Sequence, residues 1–212
     1  MKSPQNIWCI GRNYAEHAKE LGNPVTTVPL IFLKAVGCLS DSTNIVLPKN
    51  LEEVHHELEV VLRFNSELQP GSFCFDAVAL GLDLTNRRAQ SELKAQGHPW
   101  ELAKSFINAA PISPFFPVQQ QEFQNFSFQL KVNQKTVQTG RTDHMLFTPI
   151  QIAQYLLQHF PVQPGDYLFT GTPAGVGPLR RGDDLDAVLF MTSHEGTDLD
   201  SEILIQRKWK II

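Results

Sequence analysis

The stretch His55-His56-Glu57-Leu58-Glu59-Val60-Val61-Leu62-Arg63-Phe64 constrains this chain more than any other. Its first half alternates and its second half is apolar and β-branched, so it reads as a β-strand. Side chains at i and i+2 share a face of a strand, which sets Glu57 beside Glu59 and turns Leu58 and Val60 the other way. Neighbouring carboxylates repel, so the pair needs either bulk water or a cation between them. A solvated face of an amphipathic strand meets the first need. A hard divalent ion such as Mg²⁺ or Mn²⁺, taking one oxygen from each, meets the second.

A second apolar run, residues 77–86, reads as a strand buried on both faces, and Asp83 is the only charge in its apolar part. An ionised carboxylate there is costly unless it is paired or bound to a metal. Further strands are expected at 7–10, 29–34, 44–47, 167–170, 183–192 and 199–210. A hairpin joins 126–132 to 135–139 across Asn133-Gln134. Helices are fewer. One of about two turns runs from an N-cap at Asn13, with Glu16 completing a capping box, to a stop at Gly22. Another covers 87–96 before Gly97, and a third opens on Thr148-Pro149 with a stripe of Ile152, Ala153, Leu156, Leu157 and Phe160. Residues 24–28, 67–72, 98–106 and 119–125 read as loops or turns. Strands dominate in an irregular order, which defines an α+β, mostly β chain and excludes a doubly wound one. No repeat or linker divides residues 1–212, so one domain is expected, with 1–25 supplying a first strand and a short helix.

Composition narrows the function classes. The net charge is -4 with both signs interspersed. No basic block points to nucleic acid or to a membrane surface, and no apolar run approaches the length of a span. The three cysteines, Cys9, Cys38 and Cys74, are widely spaced. They read as free thiols of a reducing, cytoplasmic protein rather than a disulfide framework or a zinc site.

Chemistry-bearing residues outside the strands are few. His17 and Glu20 stand at i and i+3 on one face of the first short helix, within hydrogen-bonding reach. Lys104 is the lone lysine of the 98–106 segment, and residues 171–178 form a Gly/Thr/Pro loop that permits close backbone approach but matches no P-loop. His55, His56 and His98 read as packing or supporting groups, and Arg141-Thr142-Asp143, following the hairpin, reads either as a plain surface turn or as a segment that approaches the pocket.

Six short motifs now stand in one order: Gly-Arg-Asn-Tyr-Ala-Glu-His (11–17), Phe-Leu-Lys (32–34), His-His-Glu-Leu-Glu (55–59), Leu-Asp-Leu-Thr (82–85), Pro-Trp-Glu-Leu-Ala-Lys-Ser-Phe (99–106) and Thr-Gly-Thr-Pro-Ala-Gly-Val-Gly-Pro (170–178). Together they span nearly the whole chain, which resembles the fumarylacetoacetate hydrolase family, in particular its small single-domain acylpyruvate hydrolase and oxaloacetate-acting members. The resemblance implies a β-roll of mixed sheets with few short helices, usually dimeric. It implies Mg²⁺ or Mn²⁺ held at the positions of Glu57, Glu59 and Asp83. It also implies that His17 and Glu20 activate water from a lid helix, that Lys104 lies at the metal, and that Arg12, Arg87, Gln90 and Thr172 line the substrate pocket. Two departures stand out. The family's usual Ala-Arg-Asp is Asn86-Arg87-Arg88 here, and residues 190–201 lack a Gly/Leu-rich pattern.

The chemistry expected of such a set is hydrolysis of a 3-acylpyruvate to pyruvate and a carboxylic acid. A 2-oxo acid chelates a divalent ion, the ion stabilises the enolate, and Lys104 adds positive charge there. Oxaloacetate decarboxylation or keto–enol tautomerisation use the same site without attack by water. A metal-stabilised binding module without catalysis is the alternative from another class, and the intact residue set speaks against it.

Overall fold

In the computed structural model, residues 3–20, 22, 26–51, 53–65, 74–119, 123, 126–191 and 202–212 are described. In chain order the strands are β1 (Ile7–Gly11), β2 (Leu30–Lys34), β3 (Leu39–Ser40), β4 (Asn44–Ile45), β5 (Val54–His56), β6 (Leu58–Phe64), β7 (Phe75–Leu82), β8 (Thr85–Asn86), β9 (Ala110–Pro111), β10 (Phe116–Pro117), β11 (Phe126–Val132), β12 (Lys135–Arg141), β13 (Tyr167–Phe169), β14 (Gly177–Pro178), β15 (Asp184–Met191) and β16 (Glu202–Ile211). The helices are α1 (Ala15–Glu20), α2 (Arg87–Gln96), α3 (Glu101–Lys104) and α4 (Pro149–His159). The expected turn at 67–72, residues 24 and 25 of the expected loop at 24–28, and most of 119–125 and 190–201 lie outside the described residues.

The apolar runs fold into a six-stranded mixed sheet, ordered β10-β7-β6-β13-β1-β2, in which β1 and β13 are parallel. A five-stranded sheet, β12-β11-β15-β16-β4, covers one of its faces. Alternation along each strand divides the core in two. Trp8, Ile10, Val60, Leu62, Val78 and Leu80 meet Phe128, Leu189 and Trp209 of the second sheet. Their neighbours Ile7, Cys9, Val61, Ala79 and Phe169 pack on the other face with Cys38, Ala110 and Ile112. Burial on both faces is why these strands show little alternation in sequence.

Local choices follow the residues. Thr148 caps α4 in a full capping box with Gln151, and Pro149 fills the first turn. Of the expected stripe, Ile152, Ala153 and Leu156 are buried, whereas Leu157 and Phe160 are exposed; the Phe160 ring instead leans on Trp8 at 5.2 Å. Asn133 and Gln134 take φ 49° and 69°, the left-handed pair a tight hairpin between β11 and β12 requires.

The structure departs from the expectations at four places near the centre. Residues 55–64 form two strands, β5 and β6, with Glu57 at the break between them. The 77–86 run likewise ends at Leu82 and resumes as β8, leaving Asp83 and Leu84 between two sheets. Asn13 is not an N-cap. Its amide donates to Phe147 O and Thr170 O and its Oδ1 accepts from Phe147 N, so it ties the base of α1 to the rest of the fold. Finally, Glu101–Lys104 is a short helix rather than a loop.

Candidate metal centre

The antiparallel pair β6–β7 builds the centre. Glu59 lies opposite Gly81, and past the strand end Asp83 N donates to Glu57 O at 2.9 Å, extending the ladder by one step. Glu57, Glu59 and Asp83 thereby arrive on one side, all buried, each offering an oxygen within 4.8 Å of the others. Gly81 is needed here because a Cβ would stand 2.7 Å from both the Phe169 ring and Val61. The solvated reading of the Glu57/Glu59 pair is therefore set aside. Both faces of this strand are inside the protein.

Three buried carboxylates are tolerable only with cations beside them. Lys104, delivered by α3, donates to Glu57 Oε2 at 2.8 Å, Asp83 Oδ2 at 2.5 Å and Thr85 Oγ1 at 2.6 Å. Burial works against its charge, but Asp83 and Glu57 outweigh this and push its pKa up. Arg87 Nη2 stands 2.7 Å from Glu57 Oε1, and its Nη1 donates to Gln90 Oε1 at 2.7 Å. Burial tends to raise the Glu57 carboxyl, yet Lys104, Arg87 and His17 together hold it down at about 2.

Lys34, at the end of β2, stands 2.7 Å from Asp83 Oδ1 and also donates to Leu84 O and Lys104 O. Its approach to Oδ1 is an ion-pair contact off the hydrogen-bonding direction, so that oxygen accepts no hydrogen bond among the described residues. Glu59 is the least compensated. Its one hydrogen bond among the described residues comes from Gly171 N at 2.7 Å. Burial, then Asp83 and Glu57, push its carboxyl well above the ordinary range. An Asp83 oxygen without a hydrogen bond, a Glu59 without a cation and an all-oxygen donor set fit a divalent ion of the Mg²⁺ or Mn²⁺ type.

Around the three carboxylates lies a cavity lined also by Arg12, His17, Arg87, Gln90, Lys104 and Thr172, so every site residue expected from sequence except Glu20 reaches its wall. Its water-accessible space is about 30 Å³, room for roughly two water molecules. Glu20 sits behind His17, with Oε2 3.4 Å from His17 Nδ1, and it accepts Gly175 N at 3.2 Å, tying α1 to the Gly-rich loop. His17 is buried rather than the surface group that short helices usually carry; burial lowers its pKa below 6.5 against the pull of Glu57 and Glu20. Thr172 already uses its hydroxyl, donating to Leu58 O and accepting from Gln138.

Three residues escaped the sequence reading. Lys34 closes an apolar strand as Asp83 interrupts one, and two lone charges of opposite sign in apolar runs were the signal for their pairing. Gln138 bridges His56 Nδ1, Leu58 N and Thr172, and nothing in the hairpin sequence marks it. Asn86, part of the first departure noted above, caps α2 by accepting Ala89 N. The neighbouring Arg88 faces outward onto Glu92. Arg141 and Asp143 pair with each other in an exposed turn.

Fold and centre together define a mixed-sheet domain with a buried triple-carboxylate site beneath a short helix. The family profile for the fumarylacetoacetate (FAA) hydrolase C-terminal domain matches residues 6–197, and the chain belongs to that family. It is 37% identical over 190 residues, 86% of each chain, to "Oxaloacetate tautomerase FAHD1, mitochondrial" of Mus musculus. A crystal structure of a fumarylacetoacetate isomerase/hydrolase-type protein from Oleispira antarctica superposes with a TM-score of 0.91 at 37% identity, covering 100% of this chain and 95% of that one. Fumarylpyruvate hydrolase from Pseudomonas aeruginosa, solved with Mn²⁺ and pyruvate, gives 0.85 at 26% identity, with coverage of 100% and 97%.

Proposed function

We propose that this protein is a divalent-metal-dependent enzyme of small 2-oxo acids, and that its reaction is keto–enol tautomerisation of oxaloacetate. The observation that carries the reading is the buried Glu57-Glu59-Asp83 set, in which Glu59 has no ion-pair partner among the described residues, within a cavity whose wall also carries Arg12, Arg87, Lys94 and Lys104. The name of the mouse relative, an oxaloacetate tautomerase, supports the choice of substrate. A Mg²⁺ or Mn²⁺ ion held by these three residues would supply Lewis-acid polarisation of the substrate keto group.

The chain's own residues do the rest. Burial favours the neutral form of His17 and lowers its pKa. With Nδ1 directed at Glu20, its Nε2 is the basic nitrogen, suited to take a proton from C3 and to return it to the enolate oxygen. Lys104 is kept charged by Asp83 and Glu57, and since its donors already serve Glu57, Asp83 and Thr85, it acts through its field and by holding the carboxylates in place.

A second reading is C–C hydrolysis of 3-acylpyruvates. The His17–Glu20 pair favours it, since the same base activates a water for attack on the distal carbonyl, and fumarylpyruvate hydrolase from P. aeruginosa is a structural neighbour. Metal-stripped protein, restored with Mg²⁺ or Mn²⁺, is to be assayed on oxaloacetate and on acetylpyruvate. Tautomerisation is expected only after metal is restored. Replacing His17 with Ala should slow it about 10²-fold. The same change should abolish any acetylpyruvate hydrolysis, because activated water is indispensable there while the C3 proton of oxaloacetate also exchanges with solvent. Absence of metal-dependent turnover of either compound would leave only the binding-module reading.

Among the described residues no helix is long and apolar enough to cross a membrane. Cys9, Cys38 and Cys74 are free, which supports a reducing compartment.

A further inference from the structure

The cavity is lopsided in charge. Besides the three carboxylates its wall carries Arg12, Arg87, Lys94 and Lys104, four cations before any metal is counted. Lys104 and Arg87 are engaged by Glu57 and Asp83. Arg12 and Lys94 have no carboxylate within ion-pair distance among the described residues, and Arg12 Nε is buried without a hydrogen bond.

Neither is there by accident of exposure. Arg87, Gln90 and Lys94 fall at i, i+3 and i+7 of α2, so one helix face delivers all three to the cavity. Lys94 Nζ stands 5.2 Å from the Trp100 ring centroid, and Trp100 is itself packed on Phe32 at 5.6 Å. The aromatic face steadies the ammonium without neutralising it. Arg12 adopts φ 60°, a left-handed conformation that non-glycine residues rarely take. Burial, and then the charges of Arg12, Arg87 and Lys104, pull the Lys94 pKa down to about 8. Two cations held near each other with no anion are a standing cost that a bound anion removes.

We propose that Lys94 and Arg12 form a carboxylate subsite that receives the second, distal carboxylate of a dicarboxylic 2-oxo acid, and that Lys94 selects such acids over monocarboxylic ones. The assignment rests on the proposed 2-oxo acid chemistry. The first carboxylate and the keto group belong at the Glu57-Glu59-Asp83 end, so a second negative charge on the same short chain meets the cationic end of the same cavity. Lys94 is a specificity residue in this scheme and moves no proton.

The probe pair is oxaloacetate and 2-oxobutyrate, in which a methyl group replaces the distal carboxylate. Both are titrated calorimetrically into Mg²⁺-restored wild-type, Lys94→Met and Lys94→Arg protein, with thermal melts to verify folding; Met keeps the aliphatic stem on Trp100. Wild type should favour oxaloacetate. In K94M that preference ratio should fall roughly 10- to 100-fold, the worth of a charge-assisted contact, with KM for oxaloacetate rising more than kcat falls, while K94R keeps most of the preference. An unchanged ratio in folded K94M overturns the proposal, as does equal weakening toward both acids. The two readings fail separately. A wild type that turns over neither acid yet shows the Lys94-dependent ratio loses the catalytic reading and keeps the subsite, whereas turnover with an insensitive ratio does the reverse.

Discussion

Asp166 and Glu59 are both fully buried carboxylates in the same sheet region, and they have opposite surroundings. Asp166, just before β13, accepts from Gln5 N, Asn6 N, Asn6 Nδ2, Trp8 Nε1 and Gln163 N at 2.8 to 3.1 Å. Five neutral donors spread its charge, and they staple the start of β1 to the turn before β13. Among the described residues Glu59 has one such donor, Gly171 N, and it faces two further carboxylates. A buried acid ringed by neutral donors is complete as it stands. One ringed by its own sign is stabilised only by a cation brought from outside, and that distinguishes a structural charge from a functional one.

The largest effects should come from exchanging the two roles. Glu59→Gln is expected to lower metal-dependent turnover by at least about 10³-fold while leaving the melting temperature equal or higher, because repulsion is removed. Asp166→Asn should behave in reverse. Its new amide N–H₂ confronts the N–H donors, so stability falls by about 3–5 kcal/mol in denaturant titration, while turnover per folded molecule stays within about threefold of wild type. If Glu59→Gln destabilises as much as Asp166→Asn, the contrast between the sites is wrong.

The next effect is visible against pH without any substrate. Glu59 has a folded pKa raised above 4.5 by burial, Asp83 and Glu57. A raised folded pKa contributes stability that is complete below the unfolded value and is lost as pH rises through the folded one. In chelator, the melting temperature should therefore decline as pH climbs from below 4.5 through that raised value, and Mg²⁺ or Mn²⁺ should flatten the decline. Glu57 works with the opposite sign. Its carboxyl is held at about 2 against an ordinary 4.5, so its contribution is present above 4.5 and disappears as pH falls toward 2. Glu59→Gln should abolish the first slope and retain the second. A slope in chelator that survives Glu59→Gln would assign it to another group.

How much of this was legible in the sequence follows the same division. Asp83 and the Glu57/Glu59 pair were legible because a charge inside an apolar run violates the local pattern, and violations mark sites. The β character and the capped α4 were legible because they obey it. Asp166 was not: it sits among Pro, Gly and Gln in what reads as an ordinary turn, and four of its five donors lie some 160 residues away. Gln138 was equally silent, a neutral polar residue at a pattern-allowed place that becomes a three-way bridge only in three dimensions. The breaks at Glu57 and Asp83 were missed because strand propensity runs straight through both, and the switch between sheets is set by pairing rather than by local preference.

Pairing to cations offers a milder form of the comparison. Lys34–Asp83 at 2.7 Å is wholly buried, whereas Arg63–Asp76, also at 2.7 Å, has side chains 22% and 31% exposed. Lys34→Met should lower turnover about 10- to 100-fold and destabilise the fold by roughly 3 kcal/mol, since it removes one of the two cations that hold the buried Asp83 and leaves its Oδ1 unpaired. Arg63→Met should cost no more than about 1 kcal/mol, because water screens the pair, and should leave kinetics within twofold. Equal costs for the two would imply that burial does not govern these pairs.

Among the residues at the metal centre the smallest effect is expected at Glu20, which compensates no buried charge and is itself 37% exposed. It joins α1 to the Gly-rich loop through Gly175 N and orients His17 through a long 3.4 Å contact. Gly175 is fixed in place for that contact: its φ is 94°, and a Cβ there would lie 2.0 Å from Val137 O. Glu20→Gln keeps an acceptor for Gly175 and loses the charge that supports His17. Turnover of oxaloacetate should fall only about 3- to 10-fold, with the melting temperature nearly unchanged and the basic limb of the pH–rate profile intact. Because the Glu20 charge raises the His17 pKa against burial, its loss should shift the acidic limb, where His17 becomes protonated, to lower pH. An unmoved acidic limb would remove His17 as the titrating base and leave Glu20 with a purely mechanical hold on α1.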